Sequence, residues 1–207
     1  MYKRRSLFFA FPAVDLSQPL AGKRISGWTQ AVVGGKEGRI NTVSDRTLSV
    51  MRLALYQPDI PQNLGAAIRL CAALEVPLDV IEPCGFPLSD KAIKRAAMDY
   101  GDCAKVSHHT GWDAFRLFMR EELGPKTRLI LFTTRGAQPH TGFSFQPDDV
   151  LLMGRESAGV PDEVHAAADE RIFIPISAQA RSINVITAAS IGLGEALRQC
   201  SAFPVRA

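Results

Sequence analysis

The sequence predicts an α/β fold, a mostly parallel β-sheet held between two helical layers. Three observations carry this expectation. Short, near-continuous apolar runs recur at 53–56, 78–81, 128–133, 150–153 and 171–176, as strands covered on both faces require. Segments with helical spacing separate them. The connections are short, and no repeat or low-complexity tract interrupts residues 51–207.

The elements follow in order. Residues 53–56 (LALY) read as the first strand. Residues 65–74 then place Ala67, Ile68, Cys71 and Leu74 at helical spacing, with Asn63 as a candidate cap and Gly65 at the turn. After the short strand 78–81, Ser89 reads as the N-cap of a helix through Met98. Val106 marks a weak strand, and 112–123 an amphipathic helix ending at Gly124-Pro125. Strands 128–133, 150–153 and 171–176 follow, and a long apolar helix from Ile183 to about Cys200 closes the pattern.

Residues 1–50 behave differently. Pro12, Pro19, Gly34-Gly35 and Gly38 give turn chemistry with no sustained apolar period. This segment reads as an irregular leader, disordered or upstream of the natural start, before a domain spanning 51–207. Its Lys3-Arg4-Arg5 cluster and the apolar run after it begin like a secretory signal, but Pro12 interrupts the run and no clear cleavage site follows. The cluster would also serve as an RNA-binding arm.

Composition narrows the function. No stretch approaches the roughly 20 apolar residues of a membrane helix. The net charge is +3, but eight basic and three acidic residues lie in 1–50, leaving sixteen basic and eighteen acidic beyond it. The body therefore carries −2, and any nucleic-acid contact must use a local patch. Cys71, Cys84, Cys103 and Cys200 lack the spacing of zinc ligands and read as buried thiols in a reducing cytoplasm; no metal is expected. His108-His109 has no nucleophile or carboxylate motif beside it and reads as a surface pair. Gly192-Leu193-Gly194 lies inside a helix, so it is no dinucleotide fingerprint.

In open parallel sheets, ligands bind beyond the carboxyl ends of the strands, so the loops there are the candidates. The first, DIPQNLG at 59–65, leads into Arg69 one helical turn on; a solvated face is the plain alternative for that arginine. The second, GRESAGVP at 154–161, brackets Arg155 and Glu156 between glycines and opens a helix at Pro161. Gly154 removes a side chain where a ligand can press on backbone, and Glu156 can accept hydrogen bonds or pair with a cation. The third carries Arg181, Ser182 and Asn184 into the last helix, whose free N–H groups suit an anion or a carbonyl; Ser182 reads as its cap.

Together LYQPDIPQNLGAAIRLCA, VIEPCGFPLSDKAIKRAAMDY, LFTTRG, LLMGRESAGVP and IFIPISAQARSINVITAAS resemble the SPOUT (α/β-knot) RNA methyltransferases, above all those that methylate the wobble-nucleotide ribose of tRNA. The resemblance implies a C-terminal trefoil knot, a homodimer and S-adenosylmethionine as methyl donor. It implies cofactor contacts at Phe132, Thr133, Gly154, Ile174, Ser182 and Ile183, with Glu156 nearby. Arg69 matches the family's motif arginine; because guanidinium stays protonated, its expected role is to hold a phosphate and stabilise a developing alkoxide. Asn63, Ser182 and Asn184 would position the reacting groups. Lys91, Lys94 and Arg95, with Arg155 and Arg181, are the candidate contacts to a tRNA anticodon stem-loop.

Two departures stand out. The second loop lacks the proline after its first glycine and the arginine before its last that many relatives have, so Arg155 is a candidate replacement. Thr187 stands where asparagine is frequent. The rival readings are a related enzyme acting elsewhere on tRNA or on rRNA, and an RNA-binding relative without catalysis.

Overall fold

A computed structural model describes residues 51–88 and 105–205. Among the described residues, seven strands form one sheet: β1 (Arg52–Tyr56), β2 (Leu78–Ile81), β3 (Val106–His109), β4 (Leu129–Phe132), β5 (Gln138–Pro139), β6 (Val150–Met153) and β7 (Glu170–Phe173). Their order is β3-β2-β1-β6-β4-β7-β5 and every pairing is parallel. β6 therefore sits between β1 and β4, with Leu53 and Ile130 both opposite Leu151.

The apolar runs are continuous because alternate side chains feed two cores. Leu53, Leu55, Ile130, Phe132, Leu151 and Met153 face α1 (Pro61–Ala73) and the last helix, α4 (Val185–Gln199). Ala54, Tyr56, Leu129, Leu131, Val150 and Leu152 face α2 (Trp112–Phe118) and α3 (Asp162–Ala167). No described helix is long and apolar enough to cross a membrane.

Several boundaries differ from the sequence expectation. α1 starts at Pro61, the favoured first-turn position for proline, with Ile60 as N-cap. Asn63 is thus inside the helix and buried rather than capping it. The cap of α4 is Asn184, whose side chain accepts from Ile186 and Thr187 N–H, in place of the expected Ser182. α2 ends at Phe118 and continues as a π-helical turn, Met119–Leu123, before Gly124 at φ +91°.

His109 is not a surface residue. Its ring lies 2.8 Å from the fully buried carboxylate of Asp79, which Arg52 also grips at 2.7 and 3.0 Å. A buried carboxylate needs such partners, and here they tie β1, β2 and β3 together. His108 is exposed. Cys71 is buried, which pushes its thiol up to about 12, and Cys84 and Cys200 are half-buried free thiols. The expected helix from Ser89, with Lys91, Lys94 and Arg95, and Cys103 lie outside the described residues.

Candidate active site

The carboxyl ends of β1, β4, β6 and β7 deliver their loops to one edge of the sheet. The loop after β6 is shaped by its own backbone. Arg155 and Gly159 exchange N–H···O bonds, both 2.9 Å, and Gly159 turns the chain at φ +67°. A Cβ on Gly154 would come within 2.8 Å of the Gly159 carbonyl carbon. Glycine is required there for the loop to close on itself, a demand separate from any ligand.

Side chains then wire this loop to the one after β1. Glu156 accepts from the Asp59 N–H at 2.7 Å and from Asn63 Nδ2 at 2.8 Å. Asp59 in turn accepts from Arg155 at 2.7 Å, and from the Ser157 N–H and hydroxyl. These donors hold the Asp59 carboxyl down at about 2, Arg155 foremost, and Asp59 reciprocally raises the Arg155 guanidinium. Arg155 also reaches Gln57 Oε1 at 3.3 Å. The third loop joins through Asn184, whose Nδ2 donates to Asn63 Oδ1 at 3.0 Å while its Oδ1 caps α4.

Above this network lies a cavity of about 640 Å³. Phe132, Thr133, Gly154, Glu156, Ile174, Ser182 and Ile183 all line it, as do Asn63, Asn184, Arg155 and Arg181. The structure thus gathers residues from four loops that span more than half the described chain. Arg69 stands apart: it is exposed on α1 and does not line this cavity. Phe132 fixes one wall, and Gly192 of α4 lies so close that a Cβ there would meet the ring at 2.3 Å.

Sequence reasoning missed several participants. Asp59, Gln57 and Ser157 hold the loops together, and Arg135 stands at the cavity rim, its guanidinium 3.4 Å from exposed Asp162. The signal for Asp59 was weak, since its partner Arg155 is 96 residues away. Arg135 lay in the LFTTRG segment without any periodic or spacing cue.

The lining fits a nucleoside-type cofactor. The volume falls within the usual range for small-ligand pockets, and the walls combine apolar Leu131, Phe132, Met153 and Ile174 with strand-end backbone. Among the described residues, no cluster of three or more His, Cys, Asp or Glu is placed to hold a metal ion.

Comparison with known proteins agrees with this geometry. The model of the SpoU rRNA Methylase family matches residues 50–204. A tRNA (cytidine(34)-2'-O)-methyltransferase from Beijerinckia indica subsp. indica is 55% identical over 72% of this chain and 92% of its own length. A solved structure described as giving insight into the 2-OH methylation of C/U34 on tRNA superposes with TM-score 0.66 at 37% identity, covering 72% of this chain and 95% of that one. An AdoMet-bound rRNA methyltransferase from Sinorhizobium meliloti gives TM-score 0.62 at 26% identity, covering 72% of this chain and 56% of that one. With a sheet, a strand-end cavity and a sequence match that coincide over the same residues, this chain belongs to the SpoU rRNA Methylase family.

Proposed function

We propose that this chain transfers a methyl group from S-adenosylmethionine to the ribose 2′-hydroxyl of the wobble nucleotide, position 34, of tRNA. The observation that carries the reading is the cavity at the ends of β4, β6 and β7, cross-braced by the Asn184–Asn63–Glu156 relay. The 55% identical relative named for that reaction supports it. This chain spans 92% of that relative but only 56% of the rRNA enzyme, which favours tRNA over rRNA.

S-adenosylmethionine, when bound, supplies the electrophilic methyl group on its sulfonium. The remaining work falls to the chain's own residues. Phe132, Thr133, Gly154, Ile174, Ser182 and Ile183 form the walls that hold and desolvate the cofactor. Glu156 lines the same cavity and also shapes it by fixing Asn63 and the Asp59 backbone. Arg181 and Arg135, both exposed at the cavity, offer guanidinium groups to RNA phosphates on an otherwise acidic body. Lys91, Lys94 and Arg95, outside the described residues, are further proposed contacts to the anticodon stem-loop.

Arg69 lies outside its own chain's cavity, which suits a homodimer in which this arginine reaches the partner's site. There it holds the phosphate beside the target and stabilises the negative charge that develops on the ribose oxygen. The family's trefoil knot and work in the cytoplasm, where tRNA is its substrate, belong to the same reading.

Incubation with S-adenosylmethionine labelled in its methyl group, and with bulk tRNA or rRNA, tests the proposal. Label is expected in tRNA. Tight cofactor binding without transfer to either RNA would instead identify a catalytically inactive RNA-binding relative.

A further inference from the structure

Asp59 sits at the meeting point of three loops. Its carboxylate takes two partners from the loop after β6: Arg155 on Oδ1, and both the N–H and the hydroxyl of Ser157 on Oδ2. Its own N–H donates to Glu156 of that same loop. The third loop comes from β2: the Gly85 N–H donates to Pro58 C=O at 3.0 Å, and a Cβ on Gly85 would come within 3.0 Å of the Asp59 Cα. Two positions before Asp59, Gln57 holds the left-handed φ of 46° and accepts from Arg155 as well.

This arrangement changes what Arg155 can do. Its Nη1 and Nη2 donate inward to Gln57 and Asp59, and its Nε is buried with no partner among the described residues. A guanidinium held through one Nη by the Asp59 carboxylate and through the other by the Gln57 amide oxygen is a stiff strut, because the planar group fixes the direction of both bonds. The loop it braces supplies Gly154, Glu156 and Val160 to the cavity. The segment it braces against carries Asn63 into the same cavity and leads on to Arg69.

We propose that Asp59 is a positioning residue for methyl transfer: with Arg155 and Ser157 it forms a clasp that makes the cofactor-side loop and the head of α1 one rigid part. Arg155 then acts as half of this clasp rather than as an RNA ligand. The inference rests on the methyltransferase reading for its effect on transfer, but the clasp itself is independent of it. Loosening the clasp frees the cavity wall and the acceptor side to move separately, so both cofactor affinity and the transfer rate fall while RNA affinity is kept.

The test uses the full-length protein with Asp59→Asn, Asp59→Ala, Arg155→Ala and the Asp59→Ala/Arg155→Ala double variant. Asp59→Asn is nearly isosteric and guards against misfolding. Hydrogen exchange without ligand reads the clasp directly: amides of 155–159 are expected to exchange at least about tenfold faster in Asp59→Asn, with Leu53–Tyr56 unchanged. Unchanged exchange at 155–159 would overturn the clasp. Calorimetry with S-adenosylmethionine should show each single alanine variant weakened about tenfold and the double variant no weaker than either within about twofold, as residues acting as one unit require.

Multiplying losses in the double variant, or unaltered cofactor affinity despite faster exchange, would overturn the positioning role. In steady-state transfer to tRNA, kcat is expected to fall with KM for tRNA held within about twofold. A KM raised by Arg155→Ala and not by Asp59→Ala would return Arg155 to the RNA. Wild-type protein that transfers no methyl group, while Asp59→Asn still shows the faster exchange, would contradict the methyltransferase reading and leave the clasp standing.

Discussion

Asn63 and Asn184, 121 residues apart, are joined side chain to side chain at 3.0 Å. The amide of Asn184 divides its labour: Oδ1 caps α4 at 2.8 and 3.3 Å, and Nδ2 holds Asn63, which passes its own donor to Glu156. One residue thereby sets the start of the last helix and the position of a buried polar group on the first.

Substitution separates the two jobs. Asn184→Ala removes both and is expected to cost about 2 kcal/mol, roughly half from the cap and half from the Asn63 oxygen left without a donor. Asn184→Asp keeps the cap but cannot donate to Asn63, so about 1 kcal/mol is expected. Urea denaturation reads the difference. An Asn184→Asp variant as stable as wild type would mean that the asparagine pair contributes nothing, and equal losses for the two variants would mean that the cap contributes nothing.

Gly192→Ala sets helix propensity against space. Alanine gains about 1 kcal/mol over glycine in a helix interior, but its Cβ would lie 2.3 Å from the Phe132 ring. That ring lines the cavity and yields into it when the Cβ pushes on its other side. The expected result is little change in stability and a cofactor affinity at least about tenfold weaker, a loss of about 1.4 kcal/mol. Gly194→Ala, whose Cβ meets nothing within 4 Å among the described residues, should stabilise the helix by about 0.5–1 kcal/mol with binding intact.

Arg69→Ala is expected to lower methyl transfer by at least about a hundredfold, in the range of a lost transition-state donor. Cofactor affinity should stay within about twofold, since Arg69 does not line the cavity of its own chain. Calorimetry beside single-turnover transfer tests this division. Lost cofactor binding would show that the arginine supports the cavity instead.

The Asp59 carboxyl gives a pH signature. Folding lowers it to about 2, so its contribution is fully present above the unfolded value of about 3.9 and is lost as pH falls toward 2. The difference in melting temperature between wild type and Asp59→Asn should therefore hold constant from pH 8 to about 4.5, then shrink below about pH 4. A difference that changes between pH 6 and 8 would point to another group.

The strands were legible because burial on both faces leaves a continuous apolar run, and β6 (Val150–Met153) matches its expected bounds residue for residue. Helix starts were less legible for different reasons. The cue for α1 stood in the sequence as Pro61, but Gly65 beyond it reads equally as a turn. At α4 both Ser182 and Asn184 are good caps, and local pattern does not choose between them; the bond to Asn63 does. His109 shows the limit of local reading, since its burial depends on Asp79 thirty positions back and one strand over. Gly154 was legible as a constrained glycine, yet its constraint comes from Gly159 and not from a ligand alone. The clasp was the least legible feature, because no spacing rule links Asp59 to Arg155.

The central claim is tested most directly by mapping ribose methylation in tRNA from a strain lacking this chain, before and after restoring it. Loss of the 2′-O-methyl group at nucleotide 34, regained with the wild-type chain and not with Arg69→Ala, is the result expected. An unchanged position 34 in the deletion strain would contradict the account.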